Sequence, residues 1–321
     1  MPALTSLDRA RQQRVIQQRA ADRVRQVARF VMRCLEQKRA GAGSAGPSEG
    51  AAAPPLVVGI NGPQGSGKST MVRLLAEHLG ARRVTTVGFS LDDLYLPAAE
   101  QDRLAQAGNP LLRFRGQPGT HDVELGRRTL AALVRNQEAT ALPAYDKSLC
   151  SGRGDRIASH QWARPPVDVV LLEGWCLGFR SLDAAEFARF IDGVRNSDSP
   201  LFKHSRRHTD ASLAEVNANL RAYERALYPL IDAWVWLRVT DLDVVFRWRK
   251  DQEDALAAQG RPTLFDSQLE DFVARFMPGY EMALPKLDAH GFVSSAQLPA
   301  SSTLRLHLDP ERNVAAWDHM R

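Results

Sequence analysis

A glycine-rich segment near residue 65 carries the clearest chemical signal in the sequence. Residues 62–69 read Gly-Pro-Gln-Gly-Ser-Gly-Lys-Ser and match the pattern G-x-x-x-x-G-K-[ST] at every fixed position. In this pattern the glycines let the backbone turn its N–H groups toward a phosphate, while the lysine contacts the β- and γ-phosphates and the hydroxyl binds Mg²⁺. The pattern predicts a nucleotide-binding loop made of Gly62, Pro63, Gln64, Gly65, Ser66, Gly67, Lys68, Ser69 and Thr70.

The residues on either side of this loop support the same interpretation. An apolar run at 56–60 has the composition of a buried parallel strand, and a helix with one apolar face follows at 71–79. A helix that begins at the loop adds the positive end of its dipole to the phosphate site. A chance glycine-rich turn is the alternative, and it does not explain both flanks. The motif does not distinguish a kinase from an ATPase or a GTPase, although no NKxD-type guanine-binding sequence follows the strands.

Three acidic residues that follow predicted strands are candidates to complete the site. Glu173 ends the apolar run at 167–172, and Asp92 and Asp93 come shortly after a predicted strand at 84–89. Because the carboxyl ends of strands form the ligand crevice of a doubly wound sheet, we expect Glu173 to orient Mg²⁺ and an aspartate to accept the proton of an attacking hydroxyl. The alternatives are an ordinary strand-end acid and an acidic pair that only caps a turn.

The order of the elements predicts the architecture. Short apolar strands alternate with amphipathic helices, which is typical of an α/β protein with a doubly wound parallel sheet covered on both faces. Together with the phosphate-binding motif, this order predicts a P-loop NTPase fold. The predicted strands are 56–60, 84–89, 167–172, 233–239 and 303–308. The predicted helices lie near 71–79, 122–135, 211–228, 242–258 and 269–277.

The chain divides at a segment rich in small residues. Residues 1–39 are predicted to form an extra, basic amphipathic helix, because apolar side chains recur at helical spacing with arginines between them. Residues 40–55 are alanine, glycine, serine and proline with one exception, which favours a flexible linker before a P-loop domain at 56–321. Ten basic and three acidic residues give 1–40 a charge of +7, so the rest carries −2 of the total +5. We expect the helix to dock on the body; targeting, or contact with a membrane or nucleic acid, is the alternative.

Composition excludes several classes of protein. No apolar run reaches the roughly 18 residues that a transmembrane helix needs, and early arginines argue against a secretory signal. Three widely spaced cysteines form neither a zinc-binding spacing nor an even disulfide set. Reduced thiols favour a cytoplasmic protein. Because the basic charge is local, we expect no nucleic-acid-binding surface and no membrane partner, and the oligomeric state is left open.

Several sequence stretches resemble the P-loop small-molecule kinases, a group that includes uridine kinase, phosphoribulokinase and pantothenate kinase. Within this group the chain is similar to the D-glycerate 3-kinase family of plants and fungi, which has bacterial relatives. The phosphate-binding loop belongs to the whole superfamily, whereas RGQPGTHD and YDKS with GRGDR are specific to the glycerate kinase branch. The resemblance extends from about residue 56 to about residue 284 and includes FSLDDLY at 89–95, GNPLL at 108–112, RGQPGTHD at 115–122, PAYDKS at 143–148, GRGDR at 152–156 and EGWCLGF at 173–179.

The resemblance implies a kinase fold, the use of ATP and Mg²⁺, and roles for individual residues. It implies Asp92 as the general base, although the choice between Asp92 and Asp93 stays open. The basic segment at 247–250 is similar to the lid helix of the group, and Trp248 within it is less usual. The implied catalytic residues are Asp92, Lys68, Arg247 and Arg249. The implied Mg²⁺ ligands are Ser69 and Glu173.

A glycerate acceptor is a small anion with hydroxyl groups, so its site needs cations. Arginine suits a carboxylate because it donates two parallel hydrogen bonds, and two loops between residues 108 and 156 contain several basic residues. The candidate substrate-binding residues are Arg113, Arg115, His121, Asp122, Tyr145, Lys147, Arg153 and Arg156. The alternatives are solvated loop charges, a polar core or loop histidine at position 121, and a helix cap at position 122.

The leading hypothesis is therefore ATP-dependent phosphorylation of the small molecule D-glycerate to 3-phosphoglycerate. A kinase for another small alcohol is the alternative in the same class; the loop cations count against neutral uridine but not against pantothenate, which carries a carboxylate. A nucleotide-dependent switch or assembly protein, with the basic N-terminal helix as its contact element, is the alternative in a different class. That protein would hydrolyse ATP slowly and would not respond to an acceptor.

Overall fold

A six-stranded sheet forms the centre of the molecule in a computed structural model of the chain. The structure describes residues 6–42, 52–258, 260, 263, 265–293, 298 and 302–320, with the side chains of the first helix described over 21–41. The strands are β1 Leu56–Asn61, β2 Thr86–Ser90, β3 Thr140–Ala141, β4 Ala144–Asp146, β5 Asp155–Ile157, β6 Trp162–Ala163, β7 Val169–Gly174, β8 Ala233–Val239, β9 Thr303–Leu308 and β10 Val314–Met320. The helices are α1 Ser6–Ala42, α2 Lys68–Gly80, α3 Ala98–Gln106, α4 Val123–Arg135, α5 Leu149–Gly152, α6 Ala184–Asn196, α7 Asp210–Ala226, α8 Val244–Ala257, α9 Asp266–Ala274 and α10 Met277–His290.

The sheet has the order β10-β9-β8-β1-β7-β2. Neighbouring strands are parallel, except that β10 runs antiparallel to β9. The five predicted strands are confirmed as β1, β2, β7, β8 and β9, and so is the doubly wound α/β fold. Strand β10 was not predicted from the sequence, because this edge strand is partly exposed along its length and has no buried apolar run to mark it.

The predicted helices are confirmed as α2, α4, α7, α8 and α9, whereas α3, α6 and α10 were not predicted. Helix α4 begins at Asp122, whose Oδ1 accepts a hydrogen bond from the N–H of Leu125 at 2.8 Å. Helix α10 is buried over most of its length and contains Pro278 and Pro285. Because residues 277–283 of α10 are buried in succession, including Glu281, this helix lacks the one-sided apolar spacing by which the other helices are recognised.

Apolar layers cover both faces of the sheet. Successive strand residues point to opposite faces, so that Val57 belongs to one buried cluster and Val58 to the other. The cluster that contains Val57 is completed by α4, α6, α7 and α10 and by the buried Trp234 and Trp236 of β8. The cluster that contains Val58 is completed by α1, α2 and Trp248 of α8. The central strands β1 and β7 are therefore buried on both faces, and the carboxyl edge of the sheet is the place where loops can form a site.

Helix α1 docks on the sheet beside α2. Val27, Val31 and Leu35 recur at helical spacing and are only 0%, 0% and 2% exposed, in the same cluster as Val58 and Leu75. These three side chains supply the apolar wall that β1 and α2 need on this face. Within the described residues, α1 is therefore packed into the core of the body, which agrees with the expectation that this helix docks.

A buried ion pair fixes the end of α1. Lys38 Nζ lies 2.6 Å from Asp232 Oδ2, and the same oxygen accepts a hydrogen bond from the N–H of Val57 at 2.8 Å. Lys38 also donates to the carbonyl of Pro55 at 2.8 Å. These contacts tie the helix directly to the start of β1. Most of the predicted linker, residues 43–51, lies outside the described residues, and the division of the chain at 40–55 stays a prediction.

Two of the three cysteines are buried, and all three are free thiols. Cys34 and Cys176 are buried while Cys150 is exposed, and burial raises the pKa of Cys34 to about 11. Such a thiol stays neutral near pH 7 and is unreactive. None of the described helices combines the length and the apolar character needed to cross a membrane.

Truncation of Leu35 tests whether α1 belongs to the core. We expect Leu35→Ala to lower the free energy of unfolding by about 2–5 kcal/mol, because the substitution leaves a cavity between α1 and the sheet. Arg29→Gln, at an exposed position of the same helix, should stay within about 0.5 kcal/mol of the wild type. Urea denaturation followed by circular dichroism measures both. Equal midpoints for the two variants would mean that α1 does not contribute to the core.

Candidate active site

The phosphate-binding loop connects β1 to α2. Gly65 and Gly67 have φ angles of 75° and 85°, in the left-handed region that favours glycine. A Cβ atom on Gly65 would lie 2.6 Å from the Cβ of the buried Trp248, so this position has no room for a side chain. The N–H of Gln64 donates to the hydroxyl of Tyr280 at 3.2 Å. The loop is therefore held by α8 and α10 in addition to its own sequence.

Lys68 and Ser69 begin α2 and meet the end of β7. Lys68 is buried and its Nζ donates to the carbonyl of Pro63 at 3.1 Å. Burial lowers the pKa of Lys68, and the nearby Glu173 opposes that shift. Ser69 Oγ donates to Glu173 Oε1 at 2.6 Å. This contact follows from the parallel pairing of β1 with β7, in which Ile60 is opposite Glu173.

The oxygen atoms of Ser69 and Glu173 form a donor set of the kind that Mg²⁺ takes. Mg²⁺ in nucleotide sites is usually bound through one or two protein oxygens, with phosphate oxygens and waters completing the octahedron. Among the described residues no group of three or more histidine, cysteine, aspartate or glutamate side chains is placed to hold a metal ion by itself. A hydroxyl beside one carboxylate fits an ion that nucleotide phosphates complete.

The two aspartates after β2 have different surroundings: Asp93 holds a turn, whereas Asp92 faces the cleft. Leu91–Leu94 form a 3₁₀ turn, in which Asp93 Oδ2 accepts from the N–H of Ser90 at 2.8 Å and Ser90 Oγ accepts from the N–H of Asp92 at 3.1 Å. Asp93 thus caps the turn. The side chain of Asp92 instead faces the cleft, where its Oδ2 lies 2.5 Å from Lys147 Nζ.

The two aspartates have opposite pKa shifts. Burial alone would raise the pKa of Asp92, but the charge and hydrogen bond of Lys147, together with His121 and Lys68, lower it overall. Burial raises the pKa of Asp93 to about 6, and the neighbouring charge of Asp92 contributes to that rise. Asp92 is therefore ionised at neutral pH and able to accept a proton.

These groups share one cleft at the carboxyl edge of the sheet. Its volume is about 350 Å³. A neighbouring chamber of about 550 Å³ shares Arg115, Phe272 and Phe276 with the cleft. The polar side chains that line the cleft are Gln64, Lys68, Ser69, Asp92, Tyr95, Arg115, Lys147, Glu173, Arg249 and Gln252.

The structure separates the basic residues predicted to bind an acceptor into two groups. Arg115 and Lys147 line the cleft, and Arg115 Nη1 donates to the carbonyl of Gly152 at 2.9 Å. Arg113 and Arg153 line the neighbouring chamber, where Arg153 is paired with Asp102. Of these four cations, Arg115 and Lys147 are therefore the pair in the same cleft as Asp92 and Lys68.

Three other predicted acceptor residues, Asp122, Tyr145 and Arg156, make contacts that hold the loops of the cleft wall. Asp122 caps α4 and its Oδ2 lies 3.2 Å from Arg156 Nη2, so the helix-cap interpretation of Asp122 is observed. Tyr145 OH accepts a hydrogen bond from Gln101 Nε2 at 2.7 Å. These contacts position the two loops that carry Arg115 and Lys147.

His121 is a buried core histidine whose ring stacks on Tyr95. Their centroids are 4.5 Å apart, and Nδ1 of His121 is 2.7 Å from the hydroxyl of Tyr223. Burial lowers the pKa of His121 to about 4, so the ring is neutral at physiological pH. It sits directly behind Tyr95, which faces the cleft.

The basic segment of α8 is only partly directed at the cleft. Arg249 lines it, with its guanidinium 4.9 Å from the centroid of Phe272 and paired with Glu253 at 2.5 Å. Arg247 points elsewhere and pairs with Glu311 at 2.9 Å. Trp248 between them is fully buried, because helical spacing places it against the phosphate-binding loop. The structure therefore does not bring Arg247 to the other predicted catalytic residues.

Sequence reasoning missed the aromatic part of the cleft. Trp175, Phe272 and Phe276 line it, and Trp175 Nε1 donates to the carbonyl of Gly116 at 3.1 Å. Trp175 follows Glu173 within the quoted stretch EGWCLGF and could have been named from that position. Phe272 and Phe276 lie in and just after α9, and no local signal marks them as cleft residues.

Comparisons with known proteins place this fold among kinases. The chain is 38% identical over 267 residues to the chloroplastic D-glycerate 3-kinase of Arabidopsis thaliana, covering 81% of this chain and 54% of that protein. The chain thus spans about half the length of that relative. It is also 38% identical over 239 residues to the uncharacterized kinase mug58 of Schizosaccharomyces pombe, covering 73% of this chain and 82% of that protein.

A solved structure agrees with these sequence matches. D-glycerate 3-kinase from Cryptococcus neoformans superposes with a TM-score of 0.81 at 32% identity, covering 92% of this chain and 99% of that one. No protein-family model matches the chain. The predicted kinase fold is confirmed by this superposition and by the described sheet.

The raised pKa of Asp93 predicts a pH-dependent contribution to stability. Between about pH 3.8, its ordinary pKa, and about pH 6, the folded protein holds a proton on Asp93 that the unfolded chain has lost. Stability from this group is therefore present at low pH and lost as pH rises through about 6. Asp93→Asn keeps an oxygen that accepts from Ser90 but cannot ionise. We expect the variant to gain stability relative to the wild type from about pH 4 to about pH 7, measured by urea unfolding; parallel curves would contradict the assignment.

Proposed function

The chain belongs to the D-glycerate 3-kinase family of P-loop kinases, and we propose that it transfers the γ-phosphoryl group of ATP to the C3 hydroxyl of D-glycerate. One observation carries the proposal: an ionised aspartate, Asp92, shares a cleft with the phosphate-binding lysine and with two further cations, Arg115 and Lys147. A phosphoryl transfer to an anionic alcohol needs these three functions within one cleft.

The nucleotide end of the cleft is assigned to the loop and its two following residues. The backbone N–H groups of the loop and the start of α2 would hold the phosphates, and Lys68 would place its charge on the β- and γ-phosphates. Ser69 and Glu173 would hold Mg²⁺, which when bound neutralises charge on the phosphates. Their oxygens are already hydrogen-bonded at 2.6 Å, so both ligands converge without rearrangement.

The acceptor end is assigned to Asp92. In the proposed step the C3 oxygen of glycerate bonds to the γ-phosphorus, the bond from that phosphorus to the bridging oxygen breaks, and the hydroxyl proton passes to Asp92. The charge and hydrogen bond of Lys147 keep the pKa of Asp92 low against the effect of burial. The aspartate is thus available as a base, although its affinity for the proton is modest.

The glycerate carboxylate is assigned to Arg115 and Lys147. Arg115 faces both the cleft and the chamber, and its guanidinium is braced by backbone carbonyls of the turn at 152–153. Carbonyl groups are neutral acceptors, so these contacts orient the guanidinium without neutralising its positive charge. That charge favours an anionic ligand. Arg249, which lines the same cleft, would stabilise charge that develops on the transferred group.

We further propose a cytoplasmic setting and a small-molecule substrate, with no nucleic-acid or membrane partner. Three basic residues of α1 make contacts within the chain: Arg23 with the carbonyl of Ser66, Lys38 with Asp232, and Arg39 with Asp168 at 2.5 Å. These contacts support an internal role for the basic helix. The three free thiols support a reducing compartment.

An acceptor screen tests the substrate. We expect ADP release in the presence of ATP and Mg²⁺ to be stimulated by D-glycerate and not by uridine or ribulose 5-phosphate, which lack the carboxylate for the Arg115 site. Pantothenate is the informative competitor, because it is an anionic alcohol. Stimulation by pantothenate alone would replace the proposed acceptor, and slow ATP hydrolysis that no acceptor stimulates would favour a nucleotide-dependent switch.

The paired aspartate variants test the proposed base. Asp92→Asn keeps the size of the side chain but removes the proton acceptor, so kcat with glycerate should fall by about 10²–10⁴ while ATP affinity changes little. Asp93→Asn is the matched control, since Asp93 caps the turn and an asparagine still accepts from Ser90. Steady-state turnover and calorimetric ATP binding measure the two effects separately. An inactive Asp93→Asn beside a normal Asp92→Asn would reverse the assignment.

A further inference from the structure

Two arginines from opposite ends of the chain meet on the outer side of the phosphate-binding loop. Arg23 of α1 donates from Nη1 to the carbonyl of Ser66 at 2.9 Å. Arg312, in the turn between β9 and β10, donates from Nε to the carbonyl of Gly65 at 2.8 Å. The second terminal nitrogen of Arg23 donates to the backbone carbonyl of Arg312. Two consecutive peptide groups of the loop are thus held by two arginines, which are linked to each other through the backbone carbonyl of Arg312.

The direction of these hydrogen bonds suits what the loop has to do. A loop that presents its N–H groups to a phosphate turns the carbonyls of the same peptides away from it. Buried carbonyls need donors, and Ser66 is fully buried. Arg23 and Arg312 supply those donors, and a peptide plane held at its oxygen is also held at its N–H. Arg23 thereby restricts the orientation of the peptide whose N–H belongs to Gly67. In the peptide that Arg312 holds, the N–H of Ser66 donates to the carbonyl of Pro63 at 3.2 Å, so Arg312 fixes the internal shape of the loop.

The charge of Arg23 has an electrostatic consequence for the same loop. Arg23 is only 8% exposed, and burial together with the charge of Arg312 lowers its pKa to about 10, with Asp309 acting in the opposite direction. Burial of a cation is unfavourable unless opposite charge lies nearby. Phosphates bound on the inner side of the loop would bring such charge close, so nucleotide binding and the burial of Arg23 should favour each other.

Arg312 is itself fixed by α8. Its guanidinium lies 5.0 Å from the ring centroid of Trp248 and 3.0 Å from Asp251 Oδ2. Trp248 also contacts the loop at Gly65, where it leaves no space for a side chain. The arginine pair therefore joins α1, the β9–β10 turn and α8 to the loop as one supporting layer.

We propose that Arg23 and Arg312 are positioning residues for ATP, so that the basic N-terminal helix is a component of the nucleotide site. This inference rests on the proposed nucleotide-binding function of the loop. If residues 1–39 were only an extra helix beside a P-loop domain that functions alone, the nucleotide site would not depend on them. The inference differs because removal of α1 would remove the donor to the carbonyl of Ser66. Arg23 acts through the loop backbone and touches no reacting atom.

Calorimetric binding of ATP with Mg²⁺ to the full chain tests the proposal. We expect Arg23→Gln to weaken ATP binding roughly tenfold, the scale of one hydrogen bond that involves a charged group. Arg29→Gln removes the same charge from an exposed position of the same helix and should bind ATP like the wild type. Arg23→Lys, which keeps the charge but not the forked pair of donors, should lie between Arg23→Gln and the wild type.

A split between kinetic constants separates positioning from general destabilisation. Arg23→Gln should raise KM for ATP while KM for glycerate stays near its wild-type value, because the contacts of Arg23 lie on the phosphate side. If Arg23→Gln fails to fold, Arg312→Gln takes its place, since it removes the neighbouring contact from a surface turn without opening the core, and the same rise in KM for ATP is expected.

The outcomes distinguish this inference from the proposed function. Lys68→Ala serves as the reference, because Lys68 belongs to the nucleotide site itself. Suppose that Lys68→Ala weakens ATP binding while Arg23→Gln, or Arg312→Gln where that variant replaces it, binds ATP like the wild type. This result overturns the inference and leaves the proposed function standing. Wild-type affinity in Lys68→Ala overturns the nucleotide-site assignment and the inference with it. Equal weakening by Arg23→Gln and Arg29→Gln would show a charge effect of the helix and would also overturn positioning.

Discussion

The parallel pairing of β1, β7 and β2 is the constraint on which the rest of the molecule depends. In this register Ile60 is opposite Glu173, and Glu173 is opposite Ser90. Because parallel strands end at the same edge of a sheet, the pairing of the strands is enough to bring together the segments that follow them. The phosphate-binding loop, the acid at the end of β7 and the turn that carries Asp92 are neighbours for this reason. A shift of one residue in any strand would turn its buried side chains to the opposite face.

The cleft holds one cation, Lys68, at a depth where an unpaired charge would be costly, whereas the side chain of Lys147 is largely exposed. Lys147 is paired with Asp92 at 2.5 Å, and the buried Lys68 donates to the carbonyl of Pro63 at 3.1 Å. These contacts stabilise the groups inside the protein. The same groups are those proposed to receive the phosphates and the acceptor hydroxyl, so ligand binding exchanges one set of polar contacts for another. The opposite pKa shifts of Asp92 and Asp93 also depend on whether a cation is close. The pKa of Asp92 is lowered by its cationic partner Lys147, whereas the pKa of Asp93, which caps a turn through a backbone N–H, is raised by burial.

Support for the phosphate-binding loop comes from segments that are remote in the sequence. Trp248 of α8 and Tyr280 of α10 contact it on the body side, and Arg23 and Arg312 hold two of its carbonyls on the other side. The helix that carries Arg23 also buries Val31 against the sheet. Packing of α1 and support of the loop are therefore two consequences of one interface, and a change in one affects the other.

The sequence by itself determined the elements of this protein whose physical cause is local. Glycines at 65 and 67 allow left-handed backbone, apolar runs predict β1 and β7, and the fixed positions of the motif identify Lys68 and Ser69. The exposed edge strand β10 and helix α10, whose residues 277–283 are buried in succession, have no such local signature, and neither was predicted. Only the tertiary structure decided which polar residues share a cleft: it placed Lys147 beside Asp92, turned Arg247 away, and brought Arg23 to Ser66. These pairs lie far apart in the chain, so their meeting depends on how whole elements pack, which no local spacing encodes.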